Sequence, residues 1–494
     1  MRMTYIPTNP KPLCIDLDGT LIRTDCLFET LVGTARKNPA TLLQAPVWFA
    51  QGRPKLKEEL ANRFTPDLEN LPWNQEVLAF AKEEKAKGRK VLLVTASHRI
   101  IAEKIAEHAG IFDEVLATST GGPNLKSKNK AALLLSRFGE KGFDYIGNED
   151  CDLPVWEAGG VAFIANSTPA LERKAGNLGI PVKPIGERKT SLAKAASQAC
   201  RPHQWAKNSL LFVPLMTAHL YTDSALIFKT VLAFLAMGLC ASSVYLTNDL
   251  MDLESDRTNQ SKRKRPIPEG KLPIHIAIML VPILVVTSFC TGWFLINPTF
   301  TFLLLVYLLI TSAYSFHIKH KILLDVFLLA GLYSMRIFIG ASTSCPQQGP
   351  LFEGYVQPSN WLITFSSLFF FSLAMAKRYA ELYNLLAQEK ERPSGRNYHV
   401  NDMPLLMQFG VTSGFLAVLV MALYVQSGKS TSLYNHPSAL WLVCPPLLLW
   451  ISYIWLVTSR GKMREDPVTF AIRDKLSYLV GLIMLLAPWL ADPK

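Results

Sequence analysis

The feature that most constrains this 494-residue chain is the change in hydropathy near Pro202. Before that residue, charged residues alternate with short apolar runs, as in proteins that fold in water. After it, we count nine apolar segments, each close to the ~20 residues that a helix needs to cross a bilayer. The segments are 205–221, 229–247, 273–292, 298–316, 322–340, 360–376, 404–426, 438–458 and 474–490. The sequence predicts a soluble domain at 1–185, a linker at 186–200, and an all-α polytopic membrane bundle of nine transmembrane helices at 201–494.

Basic residues are distributed unevenly among the loops that join these segments. Lys and Arg cluster in loops 249–272, 317–321, 377–403 and 459–473. Neither occurs in loops 222–228, 293–297 and 341–359. Because cytoplasmic loops are the ones enriched in Lys and Arg, this alternation predicts an inner-membrane protein whose soluble domain and basic loops face the cytoplasm. The net charge of +12 then reflects contact with the lipid bilayer, and nucleic acid is not predicted as a partner.

The soluble part contains a short apolar run that ends in two carboxylates. Residues 12–22 read PLCIDLDGTLI, which predicts a buried strand followed by a tight turn that carries Asp16 and Asp18. Further strands are predicted at 90–97 and 144–147, with helices between the strands. This alternation predicts a largely parallel α/β sheet, which binds ligands at the carboxyl ends of its strands.

The DLDGT pattern at the end of the first strand resembles that of the haloacid dehalogenase (HAD) superfamily, over roughly residues 10–185. The resemblance implies a Rossmann-like α/β domain with a cap. It also implies that Asp16 attacks a phosphate as a nucleophile and that Asp18 is the general acid/base. Both carboxylates would bind Mg²⁺, which shields their like charges from the phosphate.

Later positions match the other motifs of that superfamily. By resemblance, Thr95 binds phosphoryl oxygens, and Lys130, or alternatively Lys126, supplies the basic residue. Asp152 would complete the Mg²⁺ site. The chain departs from the family at Asn148, where an Asp is usual, and this leaves one carboxylate fewer near the metal. The domain is predicted to be a phosphatase, and the alternative is an inactive domain that supports or regulates the rest of the chain.

About 70 residues separate the first two motifs, which is more than a connection needs. They predict a helical cap with helices at 28–36, 40–51 and 54–64. The apolar stretch 42–49 is flanked by basic residues, and it either forms the core of the cap or contacts the membrane surface.

Three aspartates stand at the end of the second predicted span, in the sequence NDLMDLESDR. Asp249, Asp252 and Asp256 are three and four residues apart, so they share one face of a continuing helix. Mg²⁺ is typically held by a few carboxylates together with substrate phosphates, and the three aspartates are therefore predicted as its ligands. The basic run at 262–265 that follows is a topology signal, a phosphate clamp, or both.

The acidic pattern and the basic run together resemble the UbiA superfamily of intramembrane transferases, over about residues 200–494. The resemblance implies a Mg²⁺-bound diphosphate leaving group, with Asp249 and Asp252 in catalytic roles and Asn248 nearby. Aromatic prenyltransferases of that superfamily carry a second DxxxD motif after the sixth span. This chain has KRYAE at 377–381 instead.

Sequences before the first span, around the fourth and fifth spans, and before the ninth span look like those of the decaprenyl-phosphate phosphoribosyltransferase branch. There a polyprenyl phosphate is the nucleophile, and phosphoribosyl diphosphate supplies the electrophilic carbon. The implied products are polyprenyl-phosphoryl-5-phosphoribose and diphosphate, and the fused phosphatase would then remove the 5-phosphate. The alternative is a UbiA-type aromatic prenyltransferase that uses prenyl diphosphate and an aromatic acceptor, with a regulatory or unrelated HAD domain.

A donor with a 5-phosphate and a diphosphate needs several cationic and polar partners. Those predicted are Arg201, Gln204, Lys207, Asn208, Asn248, Arg257, Lys319, Lys377 and Arg378. For each cation among them, anchoring of a cytoplasmic loop is the alternative role.

Overall fold

The computed structural model describes residues 10–188, 190–386, 397–463 and 466–493, so parts of the predicted basic loops 377–403 and 459–473 lie outside the described residues. The chain packs as two compact units. The first contains the residues up to Cys200 together with Tyr245–Val281. The second contains Arg201–Val244 and the residues from Pro282 onward. The segment Tyr245–Val281, which carries the three aspartates and the basic run, therefore packs with the residues assigned to the soluble domain.

The first unit is built on a six-stranded, all-parallel sheet of order β3-β2-β1-β4-β5-β6. The strands are β1 Leu13–Ile15, β2 Val91–His98, β3 Glu114–Thr118, β4 Asp144–Gly147, β5 Ala162–Ala165 and β6 Val182–Ile185. The predicted parallel α/β fold is confirmed. Strands β3, β5 and β6 were not predicted, and two of them, β3 and β6, lie at the edges of the sheet.

Hydrophobic clusters cover both faces of this sheet, as a parallel sheet requires. Side chains alternate between the faces, so Leu13 and Ile15 lie in one buried cluster and Cys14 lies in the other. The strand ends can therefore carry polar residues while the strands themselves remain buried.

Helices surround the sheet and form the insertion between the first two motifs. Those up to Cys200 are α1 Cys26–Lys37, α2 Ala45–Ala50, α3 Arg53–Arg63, α4 Gln75–Ala86, α5 Arg99–Ala109, α6 Lys128–Phe138, α7 Leu153–Ala158, α8 Pro169–Gly176 and α9 Leu192–Cys200. A 3₁₀ helix at Pro39–Gln44 lies between α1 and α2. The insertion is helical, as predicted for a cap. Within its apolar stretch Trp48 is buried, whereas Leu43 and Val47 are exposed, so the stretch does not form cap core alone.

The remaining chain is helical. Its helices are α10 Val213–Thr217, α11 Ser224–Met251, α12 Leu253–Thr258, α13 Ile274–Thr291, α14 Pro298–Phe316, α15 Leu324–Ala341, α16 Asn360–Leu386, α17 Met403–Val425, α18 Gly428–Leu433, α19 Cys444–Ser459, α20 Pro467–Ala471 and α21 Lys475–Leu490. Two large hydrophobic clusters form the core of the second unit.

Six helical segments in the described ranges are long and apolar enough to cross a membrane, rather than the nine predicted. They are Ser224–Met251, Ile274–Ile296, Pro298–Phe316, Leu324–Ser344, Val400–Val425 and Pro437–Ser459. The predicted span 205–221 is instead a 3₁₀ helix, Pro202–Phe212, followed by the five-residue α10. The predicted span 474–490 is a helix of only 16 residues. The predicted span 360–376 lies in α16, which is not one of the six.

Candidate active sites

The end of β1 carries the predicted nucleophile. Asp16 follows Ile15 directly, and its Oδ1 accepts a hydrogen bond from Lys130 Nζ at 2.6 Å. Lys130 lies in the first turn of α6 and also donates to the Tyr145 hydroxyl at 2.7 Å. Burial would lower the pKa of Lys130, but the carboxylate of Asp16 raises it above its usual value. Burial in turn raises the pKa of Asp16 although Lys130 opposes that shift. Lys130 rather than Lys126 is thus the basic residue at Asp16.

The second aspartate of the motif is held by the neighbouring strand and by the cap. Asp18 Oδ2 accepts a hydrogen bond of 2.6 Å from Ser97 Oγ and a weaker one of 3.5 Å from Thr95 Oγ1. Asp18 Oδ1 accepts from the backbone N–H of Cys26, the first residue of α1. Thr95 is fully buried and also accepts from the Ser97 N–H. Ser97, which sequence reasoning missed, is therefore the hydroxyl of β2 that lines the cavity; its place two residues after Thr95 was the available signal.

Asp152, predicted to bind Mg²⁺, has hydrogen bonds on both of its oxygens. Oδ2 accepts from the backbone N–H groups of Asn148 and Glu149 at 3.0 and 3.1 Å. Oδ1 accepts from the Tyr145 hydroxyl at 3.0 Å. Tyr145 also bonds to Lys130, so this buried carboxylate supports the lysine through the tyrosine hydroxyl. Its bonds to the two backbone N–H groups stabilise the loop after β4.

Asn148, the departure from the family pattern, lies directly beside the nucleophile loop. Its Oδ1 accepts a hydrogen bond from Thr20 Oγ1 at 3.0 Å. Gly19 has φ +75°, and a Cβ there would lie 2.3 Å from Asn148 Nδ2. Only glycine fits this turn, and the amide at 148 joins the loops after β1 and β4.

A cavity of about 560 Å³ opens above these side chains, within the first unit. Asp16, Asp18 and Lys130 line it, as does Lys126, the alternative predicted basic residue. The size exceeds what a phosphate group needs and is in the range of small-molecule sites. Paired carboxylates, a buried lysine and a hydroxyl can bind and cleave a phosphomonoester.

The aspartates after α11 form a second acidic centre in the first unit. Arg265 Nη1 lies 3.0 Å from Asp249 Oδ1 and 2.5 Å from Asp256 Oδ2. Lys262 Nζ lies 3.3 Å from Asp256 Oδ1. Both carboxylates are buried, whereas Asp252 is half-buried at the break between α11 and α12. The basic run thus supplies counter-charges to two of the three aspartates.

Carboxylate oxygens are suitable ligands for a divalent cation, but in the described ranges the three aspartates are not gathered around one point. In the described ranges, no group of three or more His, Cys, Asp or Glu side chains is close enough to hold a metal ion. Two buried carboxylates do converge on one cationic group, Arg265 Nη1, so this centre accepts positive charge. The predicted ligand sets Asp16/Asp18/Asp152 and Asp249/Asp252/Asp256 stay predictions.

Arg257 is not placed as a phosphate ligand, contrary to prediction. Its guanidinium donates to both oxygens of Glu29 on α1, at 3.1 and 2.6 Å, and its Nε donates to the Pro268 carbonyl. Both side chains of this pair are about 95% buried or more. Glu29 also accepts from Thr24 Oγ1 at 2.6 Å. The pair therefore joins the acidic segment to the cap helix α1, and a buried charge with such partners is not available to a substrate.

In the second unit, two predicted phosphate ligands converge on one carboxylate. Lys207 Nζ and Lys377 Nζ each lie 3.1 Å from Asp466 Oδ2, and the Tyr333 hydroxyl donates to the same carboxylate. Burial would raise the pKa of Asp466, but the two ammonium groups hold it below its usual range. No local signal in the sequence marks Asp466 as the partner of both lysines. Phosphate binding by the lysines stays a prediction.

Asn208 lies beside a buried arginine that sequence reasoning missed. Arg336 Nε donates to Asn208 Oδ1 at 3.2 Å, and Nη2 donates to the Tyr307 hydroxyl at 3.0 Å. Arg336 lies within the apolar helix α15, where a charged residue was itself the signal that could have found it.

Arg378 is a structural residue, contrary to prediction. Its side chain is fully buried, and its Nη2 lies 2.8 Å from Asp325 Oδ2. A second ion pair joins it to Glu381, and Tyr398 donates to Asp325 at 2.6 Å. A guanidinium enclosed in this way stabilises the packing of α15 and α16 and does not face a substrate.

The other predicted ligands lie at helix ends and in a turn of the chain. Arg201 and Gln204 are half-buried at the 3₁₀ helix that begins the second unit, and Lys319 is half-buried in the turn before α15. Asn248 is half-buried in the last turn of α11, next to Asp249. Their roles stay predictions.

A parallel sheet with paired aspartates at a strand end, followed by membrane-length helices with an acidic helix end, defines a hydrolase domain joined to a membrane transferase. The model of the UbiA prenyltransferase family matches residues 210–479, more than half of the chain. The chain therefore belongs to the UbiA prenyltransferase family. Residues 13–155 match the haloacid dehalogenase-like hydrolase model, so the chain carries a HAD domain at its N-terminal side.

Relatives match either nearly the whole chain or about three fifths of it. The uncharacterized protein y4nM of Sinorhizobium fredii is 36% identical over 96% of this chain and 89% of its own length. Nodulation protein NoeC of Azorhizobium caulinodans is 31% identical over 58% of this chain and 92% of its own. Decaprenyl-phosphate phosphoribosyltransferase of Mycobacterium tuberculosis is 28% identical over 59% of this chain and 92% of its own.

Proposed function

We propose that the chain is a Mg²⁺-dependent polyprenyl-phosphate phosphoribosyltransferase with a fused phosphatase. The observation that carries the transferase part is the convergence of Asp249 and Asp256 on one cationic group at the end of a membrane-length helix. The similarity to decaprenyl-phosphate phosphoribosyltransferase over the membrane part supports this choice of substrates. We further propose that the protein lies in the inner membrane, with its HAD domain and both centres on the cytoplasmic side, as the basic loops predict.

The transfer reaction displaces diphosphate from a sugar. An oxygen of the polyprenyl phosphate attacks C1 of phosphoribosyl diphosphate, the C1–oxygen bond to the diphosphate breaks, and diphosphate leaves with the bonding electrons. Asp249, Asp252 and Asp256 would hold Mg²⁺, which supplies charge stabilisation to the departing diphosphate. Arg265 and Lys262 hold the acidic residues in place, and Arg265 lies where an added cation would be accepted.

The phosphatase reaction then acts on the 5-phosphate of the lipid-linked product. Asp16 Oδ attacks the phosphorus, the bond from phosphorus to the 5-oxygen breaks, and Asp18 gives the leaving oxygen its proton. Water then cleaves the aspartyl-phosphate to inorganic phosphate, with its proton passing to Asp18. Lys130 holds the attacking carboxylate at 2.6 Å, and Ser97 orients Asp18. The outcome is polyprenyl-phosphoryl ribose.

The lipid product tests both halves at once. Membranes that contain the wild-type protein or Asp16→Asn are supplied with polyprenyl phosphate and radiolabelled phosphoribosyl diphosphate. We expect labelled lipid without the 5-phosphate from wild type, and labelled lipid that retains it from the variant. The same lipid from both would disprove the phosphatase role. Absence of label from lipid, together with prenylation of 4-hydroxybenzoate when prenyl diphosphate is supplied, would favour an aromatic prenyltransferase.

A further inference from the structure

One wall of the phosphatase cavity comes from a distant part of the chain. Gly270, Lys271 and the residues Pro273–His275 line the cavity together with Asp16 and Asp18. These wall residues lie just before α13 and in its first turn, within the family match of the membrane transferase rather than that of the hydrolase. They nevertheless belong to the same compact unit as the sheet. The hydrolase cavity is thus completed by residues of the transferase sequence.

Close contacts hold this wall against the loop after β1. Gly270 has φ +79°, and a Cβ there would lie 2.2 Å from the Arg23 carbonyl oxygen. The His275 ring lies 5.2 Å from the Phe28 ring of the cap helix α1. A side chain at 270 would push the wall away from the cavity, so the approach of the two backbones is specific.

The buried ion pair described above anchors the start of the wall. Arg257 contacts Glu29 on α1 with two hydrogen bonds, and its Nε donates to the Pro268 carbonyl at 3.2 Å, two residues before Gly270. Because one guanidinium holds both the cap helix and the wall, the two surround the cavity as one structure.

The wall adds a cation that the cleavage step does not use. Lys130 is bonded to Asp16, and Lys57 donates to the Ala96 carbonyl. The chain up to Cys200 also contributes Arg23, Arg53, Lys126 and Arg188 to the lining, and Lys271 is the lysine that the wall contributes. Lys271 pairs with Glu269 at 2.7 Å, and both side chains are partly exposed. Such a surface pair is weak, whereas a phosphate oxygen forms a stronger charge-assisted bond with lysine. Lys271 can therefore exchange its partner for a bound anion.

Apolar side chains lie beside this cation. Phe28 and Phe49 from the cap and Ile274 from the wall line the same cavity, and Phe49 is 56% exposed. A cavity that combines a cleavage centre, a second cationic position and an apolar part of its lining suits a substrate with two anionic groups and a hydrocarbon part.

We propose that Gly270–His275 forms the substrate-selective wall of the phosphatase cavity and that Lys271 binds a phosphodiester carried by the phosphomonoester substrate. The inference rests on the proposed phosphatase activity and deepens it by naming the residues that select its substrate, a lipid-linked sugar phosphate. Lys271 contributes to binding and specificity and takes no part in bond cleavage.

The test compares two phosphomonoesters on the full-length protein in detergent. Ribose 5-phosphate has no second anionic group, whereas decylphosphoryl-ribose 5-phosphate adds a phosphodiester and an alkyl chain. We expect the wild type to have a kcat/KM at least about 10-fold higher for the decyl compound, since a charge-assisted contact of this kind is a tenfold effect or more. Lys271→Gln lowers that ratio several-fold through KM, and Lys271→Glu lowers it further.

Lys87→Gln is the matched control, because Lys87 also pairs with a nearby glutamate, Glu84, at 2.8 Å but does not line the cavity. It should keep the wild-type ratio. An unchanged ratio in both Lys271 variants would overturn the inference, while phosphate release that depends on Asp16 would leave the proposed phosphatase standing. Release of phosphate from neither compound by the wild type would overturn both.

Discussion

The first unit contains two acidic centres, and each has a basic side chain between or beside its carboxylates. At the sheet, Lys130 contacts Asp16, and its side chain is 4% exposed. At the end of α11, Arg265 contacts Asp249 and Asp256, and its side chain is 30% exposed. A buried ammonium cannot leave its carboxylate without leaving two uncompensated charges, whereas a partly exposed guanidinium can move into water at low cost.

The two centres have similar acidic residues but differ in whether their basic side chain can be displaced. The lysine at the sheet is held also by Tyr145, so it is a permanent part of its centre. Arg265 lies in the loop before Pro266, and another cation can displace it from the two aspartates. We therefore expect the first centre to keep its geometry during cleavage and the second to rearrange when a metal and a diphosphate bind.

The largest expected effect is on the centre at the sheet. Asp16→Asn should lower phosphate release from ribose 5-phosphate by on the order of 10³-fold or more, because a carboxamide is a poor nucleophile toward phosphorus. Asp67→Asn, an exposed aspartate that bonds only to nearby residues of its own loop, is the matched control. If Asp16→Asn retains more than about a tenth of the activity, the nucleophile assignment is wrong.

A loss on the order of 10²-fold is expected at the second centre. Asp249→Asn removes a buried carboxylate that we assign to Mg²⁺, so transfer of labelled phosphoribosyl groups to polyprenyl phosphate should fall by about that factor. Phosphate release from ribose 5-phosphate should persist, since Asp249 does not line that cavity. Loss of both activities in this variant would show that the two centres are not independent.

The pair that joins the acidic segment to the cap predicts a stability effect. Glu29→Gln should destabilise the protein by ~3–5 kcal/mol, because Arg257 stays buried without its counter-charge. The double variant Glu29→Met with Arg257→Met should lie closer to wild type, since both charges are removed together. Thermal unfolding of the full-length protein in detergent, followed by circular dichroism, measures the Tm of each. An unchanged Tm for Glu29→Gln would argue against this pair.

The smallest expected effect is a pH dependence in the second unit. The pKa of Asp466 is held below its ordinary value of 3.8, against the effect of burial, by Lys377 and Lys207. A depressed pKa stabilises the fold at pH above the unfolded value, and the contribution is lost as the pH falls through the folded value, at ~1.4 kcal/mol for each pKa unit. The Tm difference between wild type and Asp466→Asn should therefore be constant from pH 7 to 5 and shrink below about pH 4. A difference that is unchanged at low pH would contradict it.

Much of the first centre could be predicted, because its signals are local or follow from the parallel sheet. Asp16 and Asp18 follow a buried strand, and parallel pairing brings the end of β2 beside them. The choice between Lys126 and Lys130, and the place of Ser97 next to Asp18, depend on how helix and strand meet and could not be read from spacing.

Long-range ion pairs could not be predicted. Arg257 and Arg378 both looked like phosphate ligands because they lie in basic loops. Their partners, Glu29 and Asp325, are far away in sequence, and no residue next to either arginine in the sequence indicates them. Nine spans are not confirmed, and six are found in the described ranges, since hydropathy reports apolar content but not whether a segment forms one long helix.

The amino-acid sequence by itself determined the class of this protein: a parallel α/β domain with a DLDGT nucleophile loop, followed by apolar helices with an acidic end. Hydrophobic periodicity, strand ends and helix-face spacing are local properties, so they can be recognised in the sequence without knowledge of the fold. The tertiary structure alone decided which cation faces which carboxylate, and it placed Gly270–His275 in the phosphatase cavity. Such contacts can join residues far apart in the sequence, 228 positions for Arg257 and Glu29, and only the packing of buried charges selects among the possible partners.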